Sequence, residues 1–164
     1  MPRLMALDVG AVRIGVALSD ASGFLASPYT TLHVTRDEAE MWAALQKLIS
    51  ETEAEGLVIG LPISLDGQIH GQAERILAFT ERLKAHISLP VVFWDERLST
   101  VEAERLLAER GQKSRQNQGG RGGHKRKRRS SQEIDALAAA VILQGYLDQH
   151  RPQQITPSNT IEDE

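Results

Sequence analysis

The 164-residue sequence contains no cysteine. This absence excludes disulfide bonds, thiolate zinc sites and cysteine nucleophiles, and it fits a cytoplasmic location. Aromatic residues are scarce, with two Trp, two Tyr and three Phe, which argues against a protein that binds single strands by base stacking. No apolar run approaches the roughly 20 residues of a membrane span, and the N-terminus lacks the organised apolar core of a signal peptide. We therefore expect a cytoplasmic protein with no membrane partner.

The length of the chain suits one domain. The hydrophobic fraction of 41% is typical of an ordinary globular protein. We expect residues 1–149 to form this domain. Because residues 150–164 are polar and contain proline, we expect them to be a disordered tail.

Positive charge is concentrated in one stretch of the sequence. Nine of the 19 Lys and Arg residues lie within residues 110–129, which contain no acidic residue, and the rest of the chain has a net charge of −12. Residues 112–129 are also rich in glycine and glutamine, so we predict a mobile loop. A basic loop on an acidic body indicates a contact with nucleic acid, and the alternative is a solvated loop without a binding role. The candidate phosphate-binding residues in this loop are Arg121, Lys125, Arg126, Lys127, Arg128 and Arg129.

Hydrophobic patterning predicts an α/β protein. The predicted strands cover residues 4–9, 13–19, 28–34, 57–61 and 90–94, and we expect the last two to be buried. The first three strands should form an antiparallel meander, whereas the strands linked by helices should pair in parallel. The sequence thus predicts one mixed five-stranded sheet with helices on both faces.

Three of the predicted helices begin with a capping box, in which Ser or Thr is followed three residues later by Glu. These helices should begin at Thr35, Ser99 and Ser130. A further helix is predicted over residues 73–83. The predicted buried stripe of the last helix consists of Ile134, Leu137, Ala138, Val141 and Ile142.

Three carboxylates stand where predicted elements begin or end. Asp8 interrupts an apolar strand near its end, where an ionised side chain must be paired, hydrogen-bonded or bound to a metal. Glu96 follows the strand over residues 90–94, and the carboxyl ends of strands are where ligand sites form. Asp135 lies in the first turns of the last helix beside its apolar stripe. We therefore consider these three residues candidate metal ligands.

Each carboxylate also has a purely structural interpretation. Asp8 could form a hydrogen bond with the turn at Gly10 or an ion pair with Arg13. Asp135 could instead interact favourably with the positive end of a helix dipole. Glu96 could form a surface salt bridge with Arg97. Asp95 is adjacent to Glu96 and could be the ligand instead, although the longer glutamate side chain reaches inward more easily from a strand end.

Together the three carboxylates indicate an all-oxygen site for a hard divalent cation. Carboxylates suit Mg²⁺ or Mn²⁺, and the five histidines are too scattered in the sequence to form a competing cluster. Two such ions could activate water and stabilise the leaving oxygen in phosphodiester hydrolysis.

Four motifs in order resemble the YqgF (RuvX) family, and the similarity covers roughly residues 3 to 148. The motifs are DVGAVRIGVALSD at 8–20, VIGLP at 58–62, DERLST at 95–100 and DALAAAVILQ at 135–144. The resemblance implies a ribonuclease H-like fold and a nuclease related to Holliday junction resolvases. It also implies a role in maturation of the small-subunit ribosomal RNA precursor, or in resolving branched DNA.

The resemblance assigns roles to individual residues. It implies that Asp8, Glu96 and Asp135 are catalytic, and that Arg13 and Arg97 contact phosphate. Residues 116–123 depart from the family pattern as a glycine-rich expansion before the basic run. The oligomeric state stays open, with a homodimer as one option because a junction resolvase needs two sites related by symmetry.

Two other functions compete with a nuclease. A nucleic-acid-binding assembly factor without catalysis would use the basic loop alone, and its binding would not depend on metal. An ATPase of the actin and sugar-kinase group also begins with Asp-x-Gly after a strand. Such an ATPase needs two lobes around its nucleotide, and 164 residues supply one.

Overall fold

A computed structural model describes residues 2–62, 70–96 and 131–150. Its elements are β1 (Leu4–Val9), β2 (Arg13–Ser19), β3 (Ala26–His33), α1 (Glu38–Thr52), β4 (Gly56–Leu61), α2 (Gly71–His86), β5 (Val91–Asp95) and α3 (Ser131–Gln149). The predicted helix at Ser99, the basic loop and the tail from residue 151 lie outside the described residues. None of the described helices is long and apolar enough to cross a membrane.

The five strands form one mixed sheet in the order β3-β2-β1-β4-β5. Strands β1, β2 and β3 pair antiparallel, whereas β4 pairs in parallel with both β1 and β5. The hairpin between β1 and β2 is closed by a hydrogen bond from Gly10 N to the carbonyl oxygen of Arg13, at 2.9 Å. The predicted α/β class and mixed sheet are confirmed.

Each face of the sheet carries its own hydrophobic core, because side chains alternate along a strand. On one face α1 and α2 cover large residues, including Met5, Leu7, Ile14, Val16, Leu57 and Ile59. On the other face α3 packs mainly on smaller residues, including Ala6, Ala17, Ala26 and Val58. All six residues of β4 are buried, as predicted for a strand covered on both faces.

The prediction that the last strand is buried was wrong for two of its residues. Val92 is 42% exposed and Phe93 is 36% exposed. Strand β5 is an edge strand, with β4 as its one neighbour in the sheet. An apolar run shows that residues suit a strand, but it does not show whether the strand is central or at an edge.

The predicted start of the first helix was also wrong. Asp37 is the N-cap of α1 and accepts a hydrogen bond from the backbone N of Ala39, at 3.1 Å. The Thr35 hydroxyl instead donates to the carbonyl oxygen of Asp37. Aspartate is as good an N-cap as threonine or better, so Asp37 caps the helix in place of the predicted capping box at Thr35.

The predicted buried stripe of α3 was correct for Ile142 and in part for Leu137 and Val141, which are partly buried against the same core, and it was wrong for the rest. Ile134 is 54% exposed, and among the predicted stripe residues only Ile142 is buried. The buried residues of α3 are Ala136, Ala139, Ala140, Ile142, Leu143, Gln144, Gly145 and Leu147. The helix is apolar on most sides, so its periodicity did not identify the face that contacts the sheet. The buried face combines small residues, including Ala136, Ala139 and Gly145, with larger ones such as Ile142 and Leu143.

Candidate active site

Asp8 lies at the centre of a row of residues that crosses four strands. Asp8 pairs with Gly15 of β2, and the parallel register of β1 with β4 places Gly60 on its other side. Gly60 in turn pairs with Trp94 of β5. Residues in one such row project from the same face of the sheet. The Asp8 side chain therefore lies on the α3 face, between two positions that have no side chain.

Gly15 is the point where α3 contacts β2. A Cβ atom added to Gly15 would lie 1.9 Å from the carbonyl oxygen of Asp135 and 3.1 Å from the backbone N of Ala136. Any side chain here would therefore push the first turns of α3 away from the sheet. The glycine brings the backbone of Asp135 next to the strand position opposite Asp8.

Gly60 provides the space for the Glu96 carboxylate. A Cβ atom added to Gly60 would lie 2.8 Å from Glu96 Oε1 and 2.5 Å from Ile142 Cδ1. The neighbouring Asp95 pairs with Leu61, which belongs to the core on the opposite face of the sheet. Of the two acidic residues, Glu96 is thus the one whose carboxylate lies above the row that contains Asp8.

The electrostatic environment shows that these carboxylates are close enough to interact. Burial raises the pKa of Asp8, and the negative charge of Asp135 raises it further. Burial also raises the pKa of Glu96, with smaller contributions from the charges of Asp8 and Asp95. Both effects disfavour the ionised carboxylate. Asp8 is the residue that interacts with both of the others.

Arg13 forms an ion pair with Asp135. The Arg13 Nε atom donates to Asp135 Oδ2 at 2.6 Å, and the side chains are 36% and 26% exposed. The sequence had left open a pairing of Arg13 with Asp8. That interpretation was wrong, because Arg13 lies two residues from Gly15, where α3 brings Asp135 to the strand.

The predicted metal ligands are suited to a divalent cation by donor type. Carboxylate oxygens are the preferred ligands of Mg²⁺ and Mn²⁺. Within residues 2–62, 70–96 and 131–150, however, no group of three or more His, Cys, Asp or Glu side chains is positioned to hold a metal ion. The Asp135 carboxylate instead forms the ion pair with Arg13.

The comparisons with known proteins agree with the motifs. The model of a family described as "RuvX: Holliday junction resolvase" matches residues 2–149. The chain belongs to the RuvX family. Membership places it among nucleases, which are hydrolases of phosphodiester bonds, so the prediction of an enzyme is confirmed.

Curated relatives in the RuvX family match almost the whole chain. A protein of Thermoanaerobacter pseudethanolicus named "Putative pre-16S rRNA nuclease" is 40% identical, with 91% of this chain and 98% of that protein covered. A protein of the same name from Moorella thermoacetica is 44% identical, with 89% and 94% covered.

Among solved structures, the RuvC of Thermus thermophilus in complex with a Holliday junction substrate has the same fold. The TM-score is 0.51 at 14% sequence identity, and the alignment covers 91% of this chain and 96% of that chain. This similarity confirms the predicted ribonuclease H-like fold.

Several candidate residues lie outside the described ranges. These are Arg97, Arg121, Lys125, Arg126, Lys127, Arg128 and Arg129. Sequence reasoning also missed the two glycines beside Asp8, although a glycine inside a strand is a signal that another group approaches closely. Gly15 and Gly60 both lie inside strands and would have been found by that signal.

Proposed function

We propose that this chain is a metal-dependent endonuclease in which Asp8, Glu96 and Asp135 are the catalytic carboxylates. The observation that supports the proposal is the row through Gly15, Asp8 and Gly60. The glycine on each side of Asp8 admits one acidic residue, Asp135 from α3 and Glu96 from the end of β5. Acidic residues from two other elements thus approach the strand that carries Asp8, with the Asp135 carboxylate paired to Arg13.

Asp8, Glu96 and Asp135 would hold one or two Mg²⁺ or Mn²⁺ ions. When bound, such ions supply an activated water and stabilise the charge on the leaving oxygen. Asp8 is the natural shared ligand because its charge interacts with both other carboxylates. Burial and neighbouring negative charge raise the pKa of Asp8 and of Glu96, and a bound divalent cation would offset both effects.

The substrate is proposed to be structured nucleic acid. The names of the curated relatives favour a precursor of 16S ribosomal RNA, since those relatives are 40–44% identical over most of this chain. The family description favours a Holliday junction as the second candidate. The two candidates share the same chemistry, which is hydrolysis of a phosphodiester bond.

The basic residues are proposed to bind the phosphate backbone of that substrate. Arg13 lies beside the carboxylates, and Arg97 follows Glu96 directly in the sequence. The loop over residues 112–129 leads into the helix that carries Asp135. Neutralising residues 125–129 together should flatten the slope of log affinity against log salt by several units. An unchanged slope would mean that these residues form only a solvated loop.

The decisive experiment offers the purified protein two labelled substrates, a precursor 16S RNA fragment and a four-way DNA junction, each with Mg²⁺ or Mn²⁺. We expect cleavage of at least one substrate, and Asp8→Asn should abolish it while circular dichroism shows a folded protein. Equal cleavage by wild type and Asp8→Asn would contradict the proposed site and indicate a contaminating nuclease. Metal-independent binding without any cleavage would favour the assembly-factor alternative.

A further inference from the structure

We propose that the ion pair between Arg13 and Asp135 couples the binding of a substrate phosphate to the binding of a divalent cation. In the free protein the Arg13 guanidinium is hydrogen-bonded to the Asp135 carboxylate. A phosphodiester group would take over the guanidinium and leave Asp135 free to bind the cation. This inference rests on the proposed function, because it assumes that Asp135 is a metal ligand.

The contact between Arg13 and Asp135 is one that a phosphate could replace. It uses Nε of Arg13 and one oxygen of Asp135, at 2.6 Å. In the described part of the chain no other residue hydrogen-bonds this guanidinium. The remaining guanidinium donors can therefore receive a phosphate, for which arginine provides a planar, two-point match. Both side chains are partly exposed, at 36% and 26%, so an incoming phosphate can reach them.

The backbone of each partner already makes a contact of its own. The Arg13 carbonyl accepts the hydrogen bond that closes the β1–β2 hairpin, and the Asp135 carbonyl lies against Gly15. An exchange of partners therefore needs only side-chain rotation, which is fast compared with movement of a helix. The site can change from ion-paired to metal-binding without rearranging the fold.

The Arg13 guanidinium and a divalent cation should compete for the Asp135 carboxylate. A guanidinium and a divalent cation beside the same carboxylate repel each other, and the carboxylate oxygen used by Arg13 is not available to the metal. A substrate phosphate attracts both cations. Binding of nucleic acid should therefore strengthen metal binding, and linkage requires that metal strengthens the binding of nucleic acid by the same factor.

The first test measures the affinity of Mn²⁺ for the full-length protein from the electron paramagnetic resonance signal of free Mn²⁺. Arg13→Met should bind Mn²⁺ about tenfold more tightly than wild type, because the competing hydrogen-bonded cation is gone. Arg82→Met is the matched control, since Arg82 pairs with Glu38 at 3.0 Å on other helices. The control should leave the affinity unchanged.

A double-mutant cycle separates competition from a general change in charge. In an Asp135→Asn background, Arg13→Met should give no gain in Mn²⁺ affinity. An equal gain in both backgrounds would overturn the proposal, because the effect would then be long-range electrostatics. Unchanged or weaker Mn²⁺ binding by Arg13→Met alone would overturn it too, because Arg13 would not compete with the metal.

The second test measures the coupling through the affinity for a fluorescein-labelled four-way DNA junction or precursor 16S RNA fragment, whichever binds more tightly. Fluorescence anisotropy is recorded with and without Mn²⁺, and gels verify that the probe stays intact. Mn²⁺ should tighten binding about tenfold more in wild type than in Arg13→Met, and equal tightening would overturn the coupling. If the protein bound no Mn²⁺, or bound it equally well after Asp8→Asn, the proposed function would be overturned as well. The other contrary outcomes would overturn only the role of Arg13.

Discussion

The two faces of the sheet are built from side chains of different size. The face under α1 and α2 is filled by large residues such as Met5, Leu7 and Ile59. The face under α3 has Ala6, Ala17 and two strand glycines, and α3 contributes alanines and Gly145 to this contact beside larger residues such as Ile142 and Leu143. The helix backbone therefore reaches the sheet at Gly15.

This difference explains why the carboxylates lie on the α3 face. On the face with large residues, a charged side chain would have to replace part of a continuous apolar core. On the α3 face, the missing side chains at Gly15 and Gly60 leave room beside Asp8 for polar groups from other elements. One face thus carries the continuous apolar core and the other carries the proposed catalytic carboxylates, and substitutions should separate these two contributions.

Beyond the loss expected for Asp8→Asn, the largest effect of the following substitutions is expected for Glu96, the carboxylate at the end of β5. Glu96→Gln should lower the cleavage rate by about a thousandfold, because it removes the charge of a proposed metal ligand. Asp95→Asn is the matched control and should lower the rate by less than about tenfold, because Asp95 pairs with Leu61 of the opposite face. Single-turnover rates measure both, and the reverse ranking would move the ligand to Asp95.

A substitution on the other face should change stability without changing chemistry. Leu45 is fully buried against the large-residue core, so Leu45→Ala should lower the free energy of unfolding by about 2–5 kcal/mol. Urea denaturation measures the loss, with Lys47→Ala on the exposed side of the same helix as control. The cleavage rate per folded molecule should stay unchanged. A rate that fell with Leu45→Ala would show that the two faces are not independent.

Gly60 tests the close approach directly. The added methyl group in Gly60→Ala would meet two side-chain ends, Glu96 Oε1 and Ile142 Cδ1, which can move. We expect a modest loss of stability. The cleavage rate should nevertheless fall about ten- to a hundredfold, because a shift of about 1 Å in a catalytic group is enough for such a loss. If rate and stability both stayed at the wild-type level, Gly60 would have no role in placing Glu96.

The smallest effect is expected in the pH dependence of stability without metal. The pKa of Asp8 is raised in the folded protein, first by burial and then by Asp135. Because the pKa is raised on folding, protonated Asp8 contributes its full stability below the pKa of the unfolded chain, which is about 4. This contribution is lost as the pH rises through the pKa of the folded protein. Asp8→Asn should therefore gain in Tm relative to wild type as pH increases from about 4 to 7.

Thermal melts in a chelating buffer measure this difference, with Glu51→Gln on the surface of α1 as a control for net charge. A Tm difference that shrank as pH increased would contradict the direction of the shift. Adding Mn²⁺ should reduce the gain of Asp8→Asn, because the cation stabilises the ionised wild-type site.

Local sequence patterns predicted much of the scaffold correctly. Alternation and apolar runs located the strands, and the order of strands and helices predicted a mixed sheet with an antiparallel meander and parallel strands, which the pairing confirms. The strand order across the sheet was given only by the structure. The four motifs identified the family that the comparisons show. Local patterns are sufficient here because strand and helix periodicities are properties of neighbouring residues.

The partner of Arg13, the buried face of α3 and the exposure of β5 were decided only by the tertiary structure. Arg13 and Asp135 are separated by 122 positions in the sequence, and no local rule connects them. Helix α3 is apolar on most sides, so the close contact at Gly15 determined which side is buried. The sequence determined which residues are candidates for the site, whereas long-range packing against two glycines determined how closely the Asp135 backbone and the Glu96 carboxylate approach the row that contains Asp8.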